Sequence, residues 1–322
     1  MRLPRSLMLA AKRESPNLLL LLPELRELSS ARSELRWITD HVHEKAADAV
    51  GRGVRGVPLQ YLLGNQPFGE SLDILCRPGV LIPRWETEEW GMALSQAIKR
   101  HHPFFVKPSV SGSNSVSDSN SSVADDVIKV LDLCTGTGCL ALLLAQQLQP
   151  PAKHSVQITG VDISPTAVAL AKRNRLRNFG QIDHNVSVTF LQDDVFTFHT
   201  PDEYFDLVIA NPPYISEEHY NSSYHVLQSV RRHEPKLALV GGVEFYDRII
   251  AIANAAHAKA VACEIADEDQ LREIQSTCFS DTSDVWNTGA MRDSAGVIRT
   301  FLAWRNDCNK DWGWMSQLLD IS

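Results

Sequence analysis

The sequence predicts an α/β protein built on a doubly wound, mostly parallel sheet, and three observations carry that prediction. Apolar strand-like runs alternate with helical patterns from about residue 127 onward. The run that ends at Asp132 passes into a Gly-x-Gly turn at Gly136 and Gly138 and then at once into an Ala/Leu-rich helix. Asp132, Asp162, Asp194 and Asn211 fall at or just after the ends of four apolar runs, the edge of such a sheet where ligands collect.

The elements follow in order. Residues 1–17 read as a mitochondrial leader: Arg2, Arg5, Lys12 and Arg13 alternate with Leu and Ala, and no acid precedes Glu14. The competing reading is a short basic arm on a cytoplasmic protein. Residues 18–54 read as a small helical domain, with Leu25, Leu28, Leu35, Ile38 and Val42 at helical steps or their multiples. The apolar run Leu18–Leu22 is too short to span a bilayer and is closed by Pro23, so no membrane segment is expected. Residues 55–106 mix Gly, Pro and apolar residues like a connector, expected to pack as a hairpin and lead into a helix. Residues 107–126 are almost wholly Ser, Asn, Gly, Asp and Val and read as a disordered insertion.

The main domain is expected over 127–305, followed by a tail over 306–322. Strands are read near 127–133, 156–161, 186–191 and 205–210, with helices near 138–149 and after Ser164-Pro165, a cap followed by the proline that suits a first helical turn. Segments 259–265 and 296–304 should complete the sheet, the last as an antiparallel strand at or near an edge. With strand order 3-2-1-4-5, the strand of Asp132 neighbours that of Asn211, and the two face one crevice.

Composition narrows the function. A formal net charge of −8 argues against an affinity built on broad phosphate contacts, so direct DNA binding is not expected. The cysteines Cys76, Cys134, Cys139, Cys263, Cys278 and Cys308 contain no C-x-x-C pair and no His at zinc spacing. They read as thiols of a reducing compartment, and no metal is expected. His41 and His43 form an H-x-H without a third ligand and read as a solvated face.

The glycine turn lets a ligand approach the backbone and is followed by free helix N–H groups. A pyrophosphate there would be repelled by Asp132, whereas a sulfonium such as that of S-adenosylmethionine would be attracted. Asp162, 24 residues past Gly138, can accept the hydroxyls of a ribose, and Asp194 can sit by an adenine amino group or be a plain loop aspartate. Asn211-Pro212-Pro213-Tyr214 is the more specific signal. Its prolines have no N–H, so the Asn211 side-chain oxygen and the Pro212 carbonyl can accept both hydrogens of one NH₂ group, with the Tyr214 ring free to stack on its face. An amide nitrogen is planar and a poor nucleophile because its lone pair is delocalised. Gripping both hydrogens favours pyramidalisation, and alignment then does the rest without a metal or strong base.

These segments resemble the HemK family of protein-(glutamine-N5) methyltransferases. The resemblance spans most of the chain: Pro58-Leu-Gln-Tyr-Leu-Leu-Gly64, Ile82-Pro-Arg-x-Glu-Thr-Glu88, Asp132-x-x-Thr-Gly-Thr-Gly138, Asn211-Pro-Pro-Tyr214, Glu234-Pro235 with Ala238-Leu239, and Asp293 to Arg299. It implies a Rossmann-like class I methyltransferase sheet with a small N-terminal helical domain for substrate recognition. It further implies that Cys134, Thr135, Gly136, Thr137, Gly138 and Asp162 hold S-adenosylmethionine, and that Asn211 to Tyr214 hold the glutamine of the Gly-Gly-Gln loop of a peptide chain release factor. A monomer in mitochondria is the expectation, because cytosolic eukaryotic relatives tend to lack the helical domain. The chain departs from the family at Cys134, where glycine is usual, at Trp85, where proline is, at Val243-Glu244-Phe245, where Asp-Gly-Leu is, and at Ala256-His-Ala-Lys259, where a Pro-Gly-Gly turn is. The main rival is a DNA or RNA amino-methyltransferase acting on adenine N6 or cytosine N4, since the same tetrapeptide could grip a flipped base. A non-catalytic binding protein would leave the intact motifs without a purpose, and an NAD oxidoreductase would leave Asn211-Pro-Pro-Tyr214 unexplained.

Overall fold

The computed structural model describes residues 4–15, 17–18, 21–22, 27–41, 56–105, 127–151, 153–179, 185–200, 204–222, 226–279, 285–308 and 312–320. The expected insertion at 107–126 lies outside these residues, as do Leu25, Val42 and His43.

Helices α1 (Arg5–Glu14) and α2 (Leu28–His41) form a small unit whose core is Ala11, Leu18, Leu21, Leu22 and Ala31. Arg32 of α2 grips Glu14 at the end of α1 through two hydrogen bonds of 2.6 and 2.7 Å. The basic segment read as a leader is thus in part a docked helix. The short α3 (Leu59–Leu63) lays Leu59 and Leu62 against this core and ends at Gly64, then β1 (Asn65–Phe68) and β2 (Leu72–Leu75) pair antiparallel. Helix α4 (Trp85–His101) follows, with Glu86 and Glu88 in its first turn and Lys99, Arg100 and His101 in its last, the charge order that a helix dipole favours. Among the described residues no helix is long and apolar enough to cross a membrane.

The central sheet contains β3 (Val127–Leu133), β4 (Ser155–Asp162), β5 (Val186–Gln192), β6 (Leu207–Ala210), β7 (Ala260–Glu264), β8 (Trp286–Arg292) and β9 (Ile298–Arg305), in the order β5-β4-β3-β6-β7-β9-β8. The first five of that order are parallel, and β9 is antiparallel to both of its neighbours. The order reverses between β3 and β6, where Leu133 pairs with Ala210. β6 and β7 are buried at every position, as expected of central strands covered on both faces.

Ile128 and Val130 point to one core with α4 and the nearly all-apolar α5 (Cys139–Gln147). Leu131 and Leu133 point to the other core with α9 (Val243–Ala255) and α10 (Glu268–Cys278). Helix α6 (Pro165–Phe179) opens as its sequence suggests, the Ser164 hydroxyl accepting from Ala167 N at 3.3 Å. Between β6 and α9 lie α7 (Glu217–Asn221) and α8 (Gln228–His233).

β3 keeps the bounds that the sequence reading gave it, and two other features differ from that reading. The edge strand is β8, which the reading omitted because Trp286-Asn-Thr-Gly-Ala-Met-Arg292 lacks apolar alternation. β9 therefore sits one strand inside the edge. Residues 313–320 are no free tail: they form a 3₁₀ helix with Trp312, Met315 and Leu318 buried in the first core, and Leu319 packs on Gly289 of the edge strand so closely that a Cβ there would stand 2.4 Å from it. The 3₁₀ helix thereby packs on one face of the edge strand.

Candidate active site

At the carboxyl ends of β3, β4 and β6 the structure encloses a cavity of about 280 Å³. Asp132, Cys134, Thr135, Gly136, Thr137, Asp162, Asp194, Asn211 and Pro213 line it, while Gly138, Pro212 and Tyr214 do not. Segment 79–84 forms a further wall, joined by Phe196, Leu237 and Phe245.

Asp132 is 1% exposed. Its Oδ2 accepts from the Thr135 hydroxyl at 2.5 Å, whereas its Oδ1 is buried with no hydrogen-bond partner among the described residues. Burial pushes its carboxyl up to about 7, against the opposing pull of the Thr135 hydrogen bond and of the Ala141 backbone N–H at the start of α5. A half-satisfied carboxylate at a cavity wall is costly unless a cation or donor completes it. Asp162, at the end of β4, accepts from Gly136 N at 2.8 Å and from Ser164 N at 2.9 Å, so it clamps the glycine turn to its neighbouring strand. Burial raises its carboxyl as well. Each of its oxygens keeps a lone pair for a ribose hydroxyl. Asp194 uses Oδ1 to accept from Phe196 N at 3.0 Å, shaping the turn that brings Phe196 to the wall.

The turn itself requires left-handed backbone. Gly138 takes φ +78°, and a Cβ there would stand 2.8 Å from the Phe190 ring. Cys134 takes φ +58° although it carries a side chain. Enclosure raises its thiol well above the ordinary value, with Asp162 and Asp132 adding to the effect, so it is a neutral wall and no thiolate nucleophile.

On the opposite wall, Asn211 Nδ2 donates to Thr87 Oγ1 at 3.1 Å. The Thr87 hydroxyl donates to Glu264 Oε2 at 2.5 Å, and Trp90 Nε1 donates to the same oxygen at 3.0 Å. The Tyr214 hydroxyl donates to Glu264 Oε1 at 3.0 Å. Tyr214 was expected to stack on a bound amide, but here its ring packs on the second core and its hydroxyl anchors the tetrapeptide. Glu264 is 1% exposed, and burial raises its carboxyl against the three hydrogen bonds that lower it.

The tetrapeptide is also braced from outside. Ile215 N donates to Leu239 O at 2.9 Å and Gly241 N to Ile215 O at 3.1 Å. A Cβ on Gly241 would lie 2.4 Å from the Pro213 carbonyl oxygen, so only glycine permits this approach. Glu234 accepts from Ile82 N at 3.0 Å and from Arg84 at 2.6 Å, fastening wall segment 79–84 to the stretch after the tetrapeptide. The Tyr61 hydroxyl holds the same segment by donating to Val80 O at 2.6 Å.

Sequence reasoning gave Thr87, Trp90, Glu234 and Glu264 no role. Glu264 carried a signal: it is an acid at the end of an apolar run, the rule that singled out Asp132 and Asp162. Thr87 and Trp90 of α4, and Glu234, each lie far in sequence from the group they bind, and only the folded chain shows what they touch.

The left-handed Cys134 yields a test. Cys134→Gly relieves a strain of about 1–2 kcal/mol, partly offset by the greater entropy of glycine in the unfolded chain. A melting temperature equal to or above that of the unaltered protein is expected, whereas Cys134→Val, with a branched Cβ at positive φ, should melt lower. Thermal melting followed by circular dichroism checks the order. Cys134→Gly melting below Cys134→Val would refute it.

The family described as a methyltransferase domain matches residues 124–296. The mitochondrial MRF1 N(5)-glutamine methyltransferase MTQ1 of Saccharomyces cerevisiae is 36% identical over 92% of this chain and 87% of its own length. The probable MRF1 mitochondrial N(5)-glutamine methyltransferase mtq1 of Schizosaccharomyces pombe is 33% identical over 95% of this chain and 98% of its own. A release factor glutamine methyltransferase of Geobacter sulfurreducens is 36% identical over 63% of this chain and 58% of its own length. With its parallel sheet, its glycine turn and its Asn-Pro-Pro-Tyr segment facing one cavity, the chain belongs to the release factor N(5)-glutamine methyltransferase family.

Proposed function

We propose that this protein transfers a methyl group from S-adenosylmethionine to the side-chain amide nitrogen of the glutamine in the Gly-Gly-Gln loop of a peptide chain release factor, in mitochondria. One observation carries the reading. A single cavity joins an unsatisfied buried carboxylate oxygen, Asp132 Oδ1, to an amide, Asn211, whose nitrogen is engaged elsewhere and whose oxygen remains to accept. The first suits a cationic ligand, and the second suits an NH₂ group.

S-adenosylmethionine, when bound, supplies a methyl group on a positively charged sulfur. Asp132, the turn 134–138 and Asp162 would hold it, with Asp194 and Phe196 on the adenine side. Asn211 Oδ1 accepts a hydrogen of the substrate amide and draws on its lone pair, and the Pro212 carbonyl, outside the cavity lining in this structure, is the acceptor that the resemblance implies for the other hydrogen. The bound group would give its methyl to the amide nitrogen and leave as neutral S-adenosylhomocysteine, and the N–H proton held at the Asn211 oxygen would pass to solvent as the product departs. Segment 79–84 and Phe245 narrow the cavity and exclude water from this step.

Mitochondrial location is supported by the basic, acid-free residues 1–13 and by relatives whose names place them in mitochondria. A fluorescent reporter fused to residues 1–40 is expected to enter mitochondria, and a diffuse cytosolic signal would refute import.

Incubation with labelled S-adenosylmethionine and a release factor should label the factor, and a Gln-to-Ala change in its Gly-Gly-Gln loop should abolish labelling. Asn211→Ala is expected to lower single-turnover methylation by roughly 10²–10³-fold, on the scale of losing one preorganised contact, with little change in cofactor affinity. Unchanged turnover, or DNA methylated as readily as the protein, would sink the glutamine reading.

A dependence on pH follows from Asp132. A cation binds its ionised form, which is lost as pH falls through about 7. Affinity for S-adenosylmethionine should therefore weaken below pH 7, with proton release on binding near neutrality. Calorimetry in buffers of differing ionisation enthalpy measures that release. Asp132→Asn should abolish it, and a release that persists in this variant would assign the proton to another group.

A further inference from the structure

The stretch Ile82-Pro-Arg-x-Glu-Thr-Glu88 is a large part of the family resemblance, yet the transfer step derived above uses only its wall-forming residues. We propose that Thr87, held by Glu264, is a positioning residue that fixes which end of the Asn211 amide faces the substrate. The proposal rests on the reading that Asn211 grips an amide and adds to it the origin of that grip's polarity.

A primary amide can turn half a revolution about its last bond at small cost, because its oxygen and nitrogen are nearly the same size. A flipped Asn211 would aim its own NH₂ at the substrate NH₂, donor against donor, and would neither orient the nitrogen nor draw out its lone pair. The surrounding groups forbid this by a chain in which each link has one permitted direction. The Trp90 indole N–H can only donate, and it does so to Glu264 Oε2 at 3.0 Å. A carboxylate accepts only, so Thr87 Oγ1, 2.5 Å from the same oxygen, must give it the single hydroxyl proton. That hydroxyl then has only lone pairs left for Asn211, 3.1 Å away. Asn211 must turn its NH₂ toward Thr87, and its Oδ1 is left for the cavity it lines. Tyr214, donating to Oε1 at 3.0 Å, completes the carboxylate and ties the far end of the tetrapeptide to it.

The arrangement also selects between side chains of equal shape. Glutamine offers two hydrogens to an acceptor, whereas an ionised glutamate has none to give and would set its oxygens against Oδ1.

Thr87→Val and Thr87→Ser separate the hydroxyl from the volume it occupies. In single-turnover assays of the full chain with a release factor, Thr87→Val is expected to lose about 10–100-fold in turnover, the scale of a misplaced reacting group, with the affinity for S-adenosylhomocysteine held within about threefold. Thr87→Ser restores the hydroxyl and should recover turnover to within about threefold of the unaltered enzyme. Undiminished turnover in Thr87→Val, or a loss in Thr87→Ser as deep as that in Thr87→Val, overturns the proposal. Should Thr87→Val fail to fold, Glu264→Gln is the second probe. Trp90 would keep the glutamine oxygen on the Thr87 side, so the loss should stay below roughly tenfold, and a loss as deep as that of Asn211→Ala overturns the proposal. Failure of the unaltered enzyme to methylate a release factor would defeat the function proposed above but not this inference, which has its own readout. Exchange of the Asn211 side-chain amide protons, followed by nitrogen-15 NMR, should be slow in the unaltered protein and in Thr87→Ser and fast in Thr87→Val. Equal exchange in all three would overturn it.

Discussion

The register of two neighbouring parallel strands fixes the chemistry of this protein. Leu133 of β3 lies beside Ala210 of β6, so the chain leaving β3 as the Cys134 turn and the chain leaving β6 as Asn211 emerge side by side at the point where strand order reverses. A shift of one residue in either strand would exchange the two faces and carry Asp132 or the tetrapeptide into the opposite core. The burial of β6 on both faces and the pairing of β3 with β4 along its whole length hold that register, so the cavity inherits the rigidity of the sheet centre.

Two carboxylates buried to the same degree divide the site between them, and the difference lies in how far each is satisfied. Glu264 receives three hydrogen bonds, two from side chains of α4 and one from the Tyr214 that follows β6, which makes it a node of fixed structure. Asp132 receives one from Thr135, and its other oxygen lacks a partner. An unsatisfied buried carboxylate destabilises the empty protein, and a cationic ligand reverses that cost, so part of the binding free energy is prepared in the folded chain. Glu264 does the opposite work: it loses nothing when substrate arrives, because it was never short of donors.

Much of this was legible in the sequence, and what was not has a physical reason. The glycine turn, Asp162 at a strand end and the Asn-Pro-Pro-Tyr segment were readable because strand-to-loop transitions of a parallel sheet are local events with local signatures. Strand β8 was not, since a strand that rests on its partner β9 and on the 313–320 helix needs no alternation of its own. The polar network around Asn211 was not either. Thr87 and Glu264 are 177 positions apart, and a hydrogen bond over that distance has no periodicity to betray it. Tyr214 shows the limit in the other direction: it was read as a ring free to stack on a bound amide, but the partner of its hydroxyl, Glu264, decides where the ring lies.

The departures from the family pattern become intelligible once the backbone is in view. Cys134 and His257 both take positive φ, +58° and +52°, and they are the two non-glycine residues of the described chain that do. Both stand where the family tends to have glycine, so the turn was kept and a side chain was placed on it at a cost of about 1–2 kcal/mol each. Trp85 lies at the first turn of α4 with half its surface exposed and outside the cavity, where a proline would have served only to start the helix. Phe245 reaches the site, as Cys134 does: it meets Phe196 edge to face at 4.9 Å, and the two rings close the wall beyond Asp194. None of the four displaces Asp132, Asp162, Thr87, Asn211 or Glu264. The four departures fall on turn strain, on a helix start and on an apolar wall, terms that neighbouring packing can offset. The donor and acceptor order around Asn211 has no such slack, since a hydrogen bond pointing the wrong way cannot be repaired by moving atoms a few tenths of an ångström.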